Sequence, residues 1–191
     1  AIKSLLGRRP ADALDPPEEE ITGDIKVLSE VDLNSNKEIF YFKPRSQPNQ
    51  PIQEACSVII KKTPGPGGEL EPISFRGEKT IVAEGCNVFI DSNIIAPQGR
   101  LGILALEGLG IPGGNAGGNV YICNRVTDVE ANFVLDNTLY SYVADMSDCG
   151  GKNKREFLDY FGTPIWGGNA RRALGNQLTV VGSLLSNNTI G

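Results

Sequence analysis

The side chains of this chain that could do chemistry are carboxylates, because histidine is absent from all 191 residues. Without imidazole, histidine-ligated zinc, Ser-His-Asp and Cys-His nucleophile systems and histidine general bases are excluded. Candidate acids and the arginines that could act beside them are Asp91, Glu107, Asp136, Asp145, Asp148, Arg100 and Arg125. None of the acids forms a recognisable pair of the kind that a glycosidase needs. We therefore predict no enzyme activity, with a β-helix polysaccharide lyase or hydrolase as the less favoured alternative.

The four cysteines, Cys56, Cys86, Cys123 and Cys149, lie far apart and contain no C-x-x-C pair. This spacing argues against a zinc ribbon or a redox motif, and it favours two disulfides formed in an oxidising compartment. Proximity along the chain favours Cys56 with Cys86 and Cys123 with Cys149, although four cysteines allow three connectivities. The cysteines thus predict an extracellular or cell-surface protein.

A glycine-rich segment, Gly108–Gly113, has the G-x-G-x-x-G spacing of a dinucleotide site, with Asp128 twenty positions after Gly108. Such a site also needs a helix whose N-terminus receives the pyrophosphate. The residues that follow continue as a glycine-rich loop and a strand. We therefore predict a surface loop here and no cofactor.

Charge and hydropathy exclude two further classes of partner. Eighteen basic residues against 23 acidic ones give a net charge of −5, whereas nucleic-acid binding requires a basic face. No stretch approaches the roughly 20 apolar residues that span a bilayer. The chain starts at Ala1, which either a mature form with a cleaved secretory signal or a fragment of a longer polypeptide would explain. We expect further chain after Gly191, because the last phrase resembles an interrupted strand and turn.

Short β-branched segments recur between glycines and asparagines from Lys79 to Tyr142, with no helical period. Asn87–Asp91 and Asn119–Ile122 repeat one phrase at a 32-residue step, and Asn176–Val180 repeats it more loosely. Repeats of roughly 20 to 50 residues are typical of solenoids. We predict a mainly β chain that forms a parallel β-helix (β-solenoid), with a Greek-key β-sandwich as the alternative.

Strands are expected in short runs across most of the chain. They are 25–31, 38–42, 56–61, 80–83, 87–90, 102–107, 119–124, 128–135, 139–143 and 178–181. The predicted domains are an extended N-terminal arm (1–23), a β-rich lead-in with Pro/Gly-rich loops (24–76), and the solenoid (77–191). A short helical insertion is expected near 150–175, where residues 152–161 have one apolar face.

Two apolar groups could make contacts between subunits. Ile2, Leu5 and Leu6 form a small cluster in the arm, and Tyr160, Phe161 and Trp166 lie in the helical insertion. Aromatic side chains are favoured at interfaces. These six residues are the predicted assembly contacts.

Three phrases resemble those of uncharacterised surface or secreted proteins predicted from small-genome bacteria. They lie at Gly77–Ile94, Gly117–Ala131 (GGNVYICNRVTDVEA) and Asn176–Gly191 (NQLTVVGSLLSNNTIG), and together they cover about half of the chain. The resemblance implies an extracellular right-handed parallel β-helix. Because that group carries no established activity, the resemblance assigns no functional residues.

The function expected from these features is structural: a subunit or segment of an extracellular filament, sheath or surface assembly. Its partners would be further copies of itself or further segments of a longer chain. The alternative is a carbohydrate-binding adhesin or fibre domain. In that case Tyr121, Tyr140, Tyr142 and Trp166 would stack on glycans.

Overall fold

The computed structural model describes residues 19–21, 25–44, 56–62, 71–108, 117–123, 126–142 and 178–187. This part of the chain is mainly β, with one helix of four residues. The elements are β1 (Glu19–Ile21), β2 (Ile25–Leu28), α1 (Glu30–Leu33), β3 (Ile39–Pro44), β4 (Cys56–Ile60), β5 (Ile73–Glu84), β6 (Cys86–Ile90), β7 (Ile94–Leu106), β8 (Val120–Cys123), β9 (Asp128–Glu130), β10 (Asn132–Leu135), β11 (Leu139–Tyr142), β12 (Thr179–Val181) and β13 (Leu184–Ser186).

The strands form two sheets that the chain visits in alternation. Sheet B has the order β11-β8-β6-β4-β2, and sheet A has the order β1-β3-β5-β7-β10-β13, with β9 on β7 and β12 on β9. After β1 the chain therefore makes five passes, each a visit to sheet B followed by one to sheet A, within the described residues. The strand pairs are parallel. The alternative of a Greek-key sandwich is wrong, because that architecture is built from antiparallel pairs.

Residues at equivalent positions of successive passes stack into ladders, and the inward-facing ladders form one core with side chains from both sheets. In sheet B the buried ladders are Val58-Val88-Val120 and Ile60-Ile90-Ile122, and in sheet A one runs Phe40-Ile81-Ile103-Phe133. Strand side chains alternate between faces, and the second half of β5 accordingly buries every second residue. In β4 and β6, however, all five residues are buried. Burial of these apolar side chains is the main contribution to the stability of the fold.

The repeated phrases of the sequence are only partly equivalent in the structure. The first two are register partners, because Val88 lies beside Val120 and Ile90 beside Ile122. The third is wrong: Thr179 to Val181 form β12, which pairs with β9 in sheet A. The next position in sheet B belongs to β11, whose Leu139 lies beside Val120.

The first predicted strand ends early because a helix begins there. The sequence predicts a strand over 25–31, but β2 stops at Leu28 and Ser29 caps α1. The Ser29 hydroxyl accepts a hydrogen bond from the Asp32 N–H, and the Asp32 carboxylate accepts one from the Ser29 N–H, which is the reciprocal arrangement of a capping box. Four residues are too few to show a helical period in the sequence.

Both sheets continue across the predicted domain boundary between residues 76 and 77. Strand β5 spans that boundary, β3 pairs with β5, and β4 pairs with β6. Part of the predicted arm, Glu19–Ile21, forms β1 beside β3. Predicted strand 128–135 is divided at Ala131 into β9 and β10, while β5 and β7 are longer than expected. The helical insertion near 150–175 lies outside the described residues.

Candidate functional site

Among the described strands, none covers the core ladders at one end of the sheets. Ile73, Ile94, Val129 and Val180 occupy one inward-facing register position on successive strands. The first three are 0%, 0% and 1% exposed, whereas Val180 is 37% exposed. The difference follows from position, because no described strand pairs with the far side of β12.

Strands β11, β12 and β13 together form what we call the open end. Each of them pairs on one side only among the described strands. Val181 is 59% exposed and Leu185 is 56% exposed. The described residues of this last pass, 138–142 and 178–187, include no Asp, Glu, Lys or Arg. An edge of this kind is a template for pairing with another strand, since it lacks the charges that usually protect sheet edges.

The opposite end, formed by β1, β2 and α1, is called the capped end. Its first core residues are buried: Leu28 is 1%, Leu33 0% and Phe40 3% exposed. Helix α1 lies against the start of β5, where the Asn34 side chain donates a hydrogen bond to the Ser74 carbonyl and the Ser74 N–H donates one to the Glu30 carboxylate. Side chains of the helical segment thus bond the backbone of β5.

Charge also protects the capped end. Lys26 occupies the register position of Val58 on the terminal strand β2, and an inward-placed charge on an edge strand disfavours pairing with another chain. The buried Lys79 ammonium closes the neighbouring loop by donating to the Ser35 and Lys37 carbonyls, at 2.7 Å and 2.8 Å. The two ends of the molecule therefore differ in both covering and charge.

An ion cluster fixes α1 to the chain before β5. Lys62 Nζ lies 3.1 Å from the carboxylates of Glu30 and Glu71. The hydrogen bond to Glu71 is the main factor that raises the pKa of Lys62. Burial acts to raise the pKa of Glu30, but the hydrogen bond from the Ser74 N–H and the Lys62 contact together leave that pKa lowered. The cluster favours charged Glu30 and charged Lys62.

The outward face of sheet B carries an aromatic ladder. Phe89, Tyr121 and Tyr140 are register partners, with ring centroids 4.9 Å and 5.1 Å apart and rings nearly parallel. Burial is the main factor that raises the pKa of Tyr121, and Tyr140 adds to it. Tyr121 is stacked on both faces, so it offers no ring face to a sugar.

Two residues before the aromatic ladder, a polar ladder crosses the same strands. The Asn119 amide donates to Asn87 Oδ1 at 3.0 Å, and the Thr138 N–H donates to Asn119 Oδ1 at 3.2 Å. Asn87 and Thr138 are buried, so these bonds satisfy polar groups that are removed from water. The two ladders hold β6, β8 and β11 in one register.

The disulfide predicted between Cys56 and Cys86 is confirmed. The two residues are register partners on β4 and β6, and both are buried. The bond therefore joins successive passes inside the sheet. Cys123 is also disulfide-bonded, and its predicted partner Cys149 lies outside the described residues.

The structure brings two of the candidate acids together at a corner. The Asp136 carboxylate accepts a hydrogen bond from the Glu107 N–H at 3.0 Å, and the Glu107 carboxylate accepts one from the Asn137 amide at 3.0 Å. Both acids thus join neighbouring passes. Asp91 is buried elsewhere, 3.8 Å from Lys61 Nζ.

The remaining candidates are exposed or lie outside the described residues. Arg100 makes a long, exposed contact of 3.9 Å with Glu78. Asp145, Asp148 and Arg125 lie outside, as do the residues after Gly108 in the glycine-rich segment and the six predicted assembly contacts Ile2, Leu5, Leu6, Tyr160, Phe161 and Trp166. Across the described ranges, no group of three or more Cys, Asp or Glu side chains is placed to hold a metal ion.

Sequence reasoning missed both ends of the molecule. Two signals could have indicated them: the S-x-x-D spacing of Ser29 and Asp32, which is typical of a helix N-terminus, and the absence of charge from residues 178 to 187. Exposure of Val180 could not be read from the sequence, because it depends on which strand lies beyond β12.

No family model matches this chain, and neither do the curated proteins or the solved structures compared with it. The resemblance to bacterial surface proteins stays a prediction. Within the described residues, no helix has the length and apolar character that a membrane span requires.

Proposed function

We propose that this chain is a structural segment of an extracellular surface assembly, built as a right-handed parallel β-solenoid. The alternation between two parallel sheets supports the solenoid, since each pass then corresponds to one coil. The right-handed sense follows from the rule that crossovers between parallel strands of one sheet are right-handed in about 98% of cases. In this arrangement the passes contact only their neighbours, and function resides at the ends and on the flanks.

The observation that carries the structural role is the exposure of Val180 beside three buried ladder partners. Its inward position creates a place for one more apolar residue, and the edges of β11, β12 and β13 supply backbone groups for one more set of strands. The open end is therefore a site that accepts a further coil, either from another copy or from further chain.

The extracellular location is supported by the Cys56–Cys86 disulfide, because such bonds persist in oxidising compartments. The carbohydrate-binding alternative draws less support from the described residues. Tyr121 is covered on both faces by its neighbours, and Tyr140, which is 39% exposed, stacks on Tyr121. Glycan recognition by stacking needs exposed ring faces.

The assembly role is tested by sedimentation velocity over a rising protein concentration. We expect the wild-type chain to associate and Leu185→Lys to remain monomeric, because a lysine on an edge strand disfavours pairing of that strand with another chain. Val27→Lys is the matched control: Val27 is similarly exposed but lies on β2 at the capped end. A wild-type chain that stays at 20.5 kDa throughout contradicts association of copies through the open end.

A further inference from the structure

The two ends of the molecule limit how copies can associate, if the open end accepts a coil as proposed above. A head-to-tail polymer needs the open end of one copy to pair with the capped end of the next. At the capped end the helical segment already bonds β5 through Asn34 and Glu30, and β2 places Lys26 at a core register position. The capped end is therefore a poor acceptor for a coil.

The open end, in contrast, can pair with the open end of a second copy. Its described residues carry no charge, so two such ends bring no like charges together. Each end offers an inward-facing apolar residue at the edge of the core, Val180, flanked by the exposed Val181. Both ends also present strands that are paired on one side only.

We propose that the partner of the open end is the open end of a second copy. The resulting contact is isologous, with a two-fold axis between the copies, and the facing strands of the two copies run antiparallel. In such a contact the open end of each copy is occupied, so no open end is left for a third copy. The product is a closed dimer and does not grow into a filament.

A mixing experiment separates this dimer from a head-to-tail polymer. Fluorescently labelled Val180→Lys chain is mixed with unlabelled wild-type chain and followed by fluorescence-detected sedimentation. In the closed dimer the substituted chain has lost its only associating end, so all label is expected to sediment as monomer. In a head-to-tail polymer the same chain keeps a working capped end and would add to wild-type open ends.

Two further variants make the result specific. Val181→Lys places a lysine on the outward side of the same edge strand, and it is also expected to prevent the dimer because lysines on edge strands disfavour strand pairing. Circular dichroism reports the fold of each variant, so that a folding defect of one is recognised. Labelled Val31→Lys, which changes an exposed residue of α1, is expected to enter dimers as wild type does. The wild-type mass is expected to reach a plateau at twice 20.5 kDa.

The outcomes distinguish this inference from the proposed function. Label from Val180→Lys in larger species, or a wild-type series of masses beyond the dimer, overturns the closed dimer and leaves a role for the open end in assembly. A wild-type chain that is monomeric at every concentration overturns both. A dimer that Val31→Lys disrupts as strongly as Val180→Lys overturns the assignment of the contact to the open end.

Discussion

Gly117 shows how closely the passes approach each other at single residues. It has φ +80°, and a Cβ atom there would lie 2.5 Å from the Gly85 carbonyl carbon and 2.6 Å from the Cys86 nitrogen. Both obstacles are backbone atoms of the preceding pass, which cannot move aside cheaply. The position thus requires glycine for space as well as for its backbone angle.

Gly77 provides a matched comparison, since it has φ +76° and a Cβ atom there would have nothing within 4 Å. Gly77→Ala is expected to cost about 1 to 2 kcal/mol of unfolding free energy for the left-handed backbone alone. Gly117→Ala should cost a further 1 to 3 kcal/mol or so because it also overpacks the contact between passes. Denaturant unfolding of the two variants measures the difference, and equal losses would show that the passes are farther apart.

At the scale of elements, α1 depends on charge for its cap. Burial acts to raise the pKa of Asp32, but the hydrogen bonds from Ser29 leave that pKa lowered, and the pKa of Glu30 is lowered as well. A carboxyl group whose pKa is lowered on folding stabilises the fold above its unfolded value and loses this effect as pH falls through the folded value. The cap should therefore weaken on acidification below the ordinary value of 3.8 for Asp32.

Ser29→Ala tests this cap. The variant is expected to lose about 1 kcal/mol of unfolding free energy near neutral pH, because the Asp32 N–H loses its acceptor and the carboxylate loses the Ser29 hydroxyl. That loss should shrink at acid pH, where Asp32 is protonated in both chains. Chemical denaturation across the acid range measures it, with Ser183→Ala at the open end as the control. A loss that is independent of pH would mean that the Asp32 charge does not contribute.

The equivalence of two strands can be predicted from the sequence where the same residues recur. Asn87–Ile90 and Asn119–Ile122 are identical at three of four residues, so their equivalence could be predicted. The next position is filled by Thr138 and by Leu139 and Tyr140 of β11, which are polar, apolar and aromatic like their partners but differ from them in residue type. The looser repeat at Asn176–Val180 shares the asparagine and so points to the wrong segment, because β12 belongs to sheet A.

At the scale of the whole molecule, the Cys56–Cys86 bond ties the second pass to the third. Sequence separation could predict this pairing because one pass brings the chain back to the same register position after 30 residues. The ends could not be predicted in this way, since the ladder partners Val129 and Val180 are the same residue type and yet are 1% and 37% exposed.

Removal of the bond should lower the stability of the whole stack. The double variant Cys56→Ala/Cys86→Ala is expected to lose about 3 to 4 kcal/mol of unfolding free energy, the chain-entropy value for a loop of this length. Thermal unfolding under non-reducing conditions measures the loss. If a reductant lowers the melting temperature of the double variant as much as that of the wild type, the Cys56–Cys86 bond is not the disulfide that stabilises the fold.

Within the described part of the chain, the core is closed by α1 at one end and no strand covers Val180 at the other. Changes in chain length by whole passes are therefore easier at the second end. A pass duplicated beside β12 would pair with strands that are already present, whereas a pass inserted beside α1 would require a new capping helix. Lineages of such a chain would thus vary in length by whole rungs, with the changes concentrated on the side away from the helix.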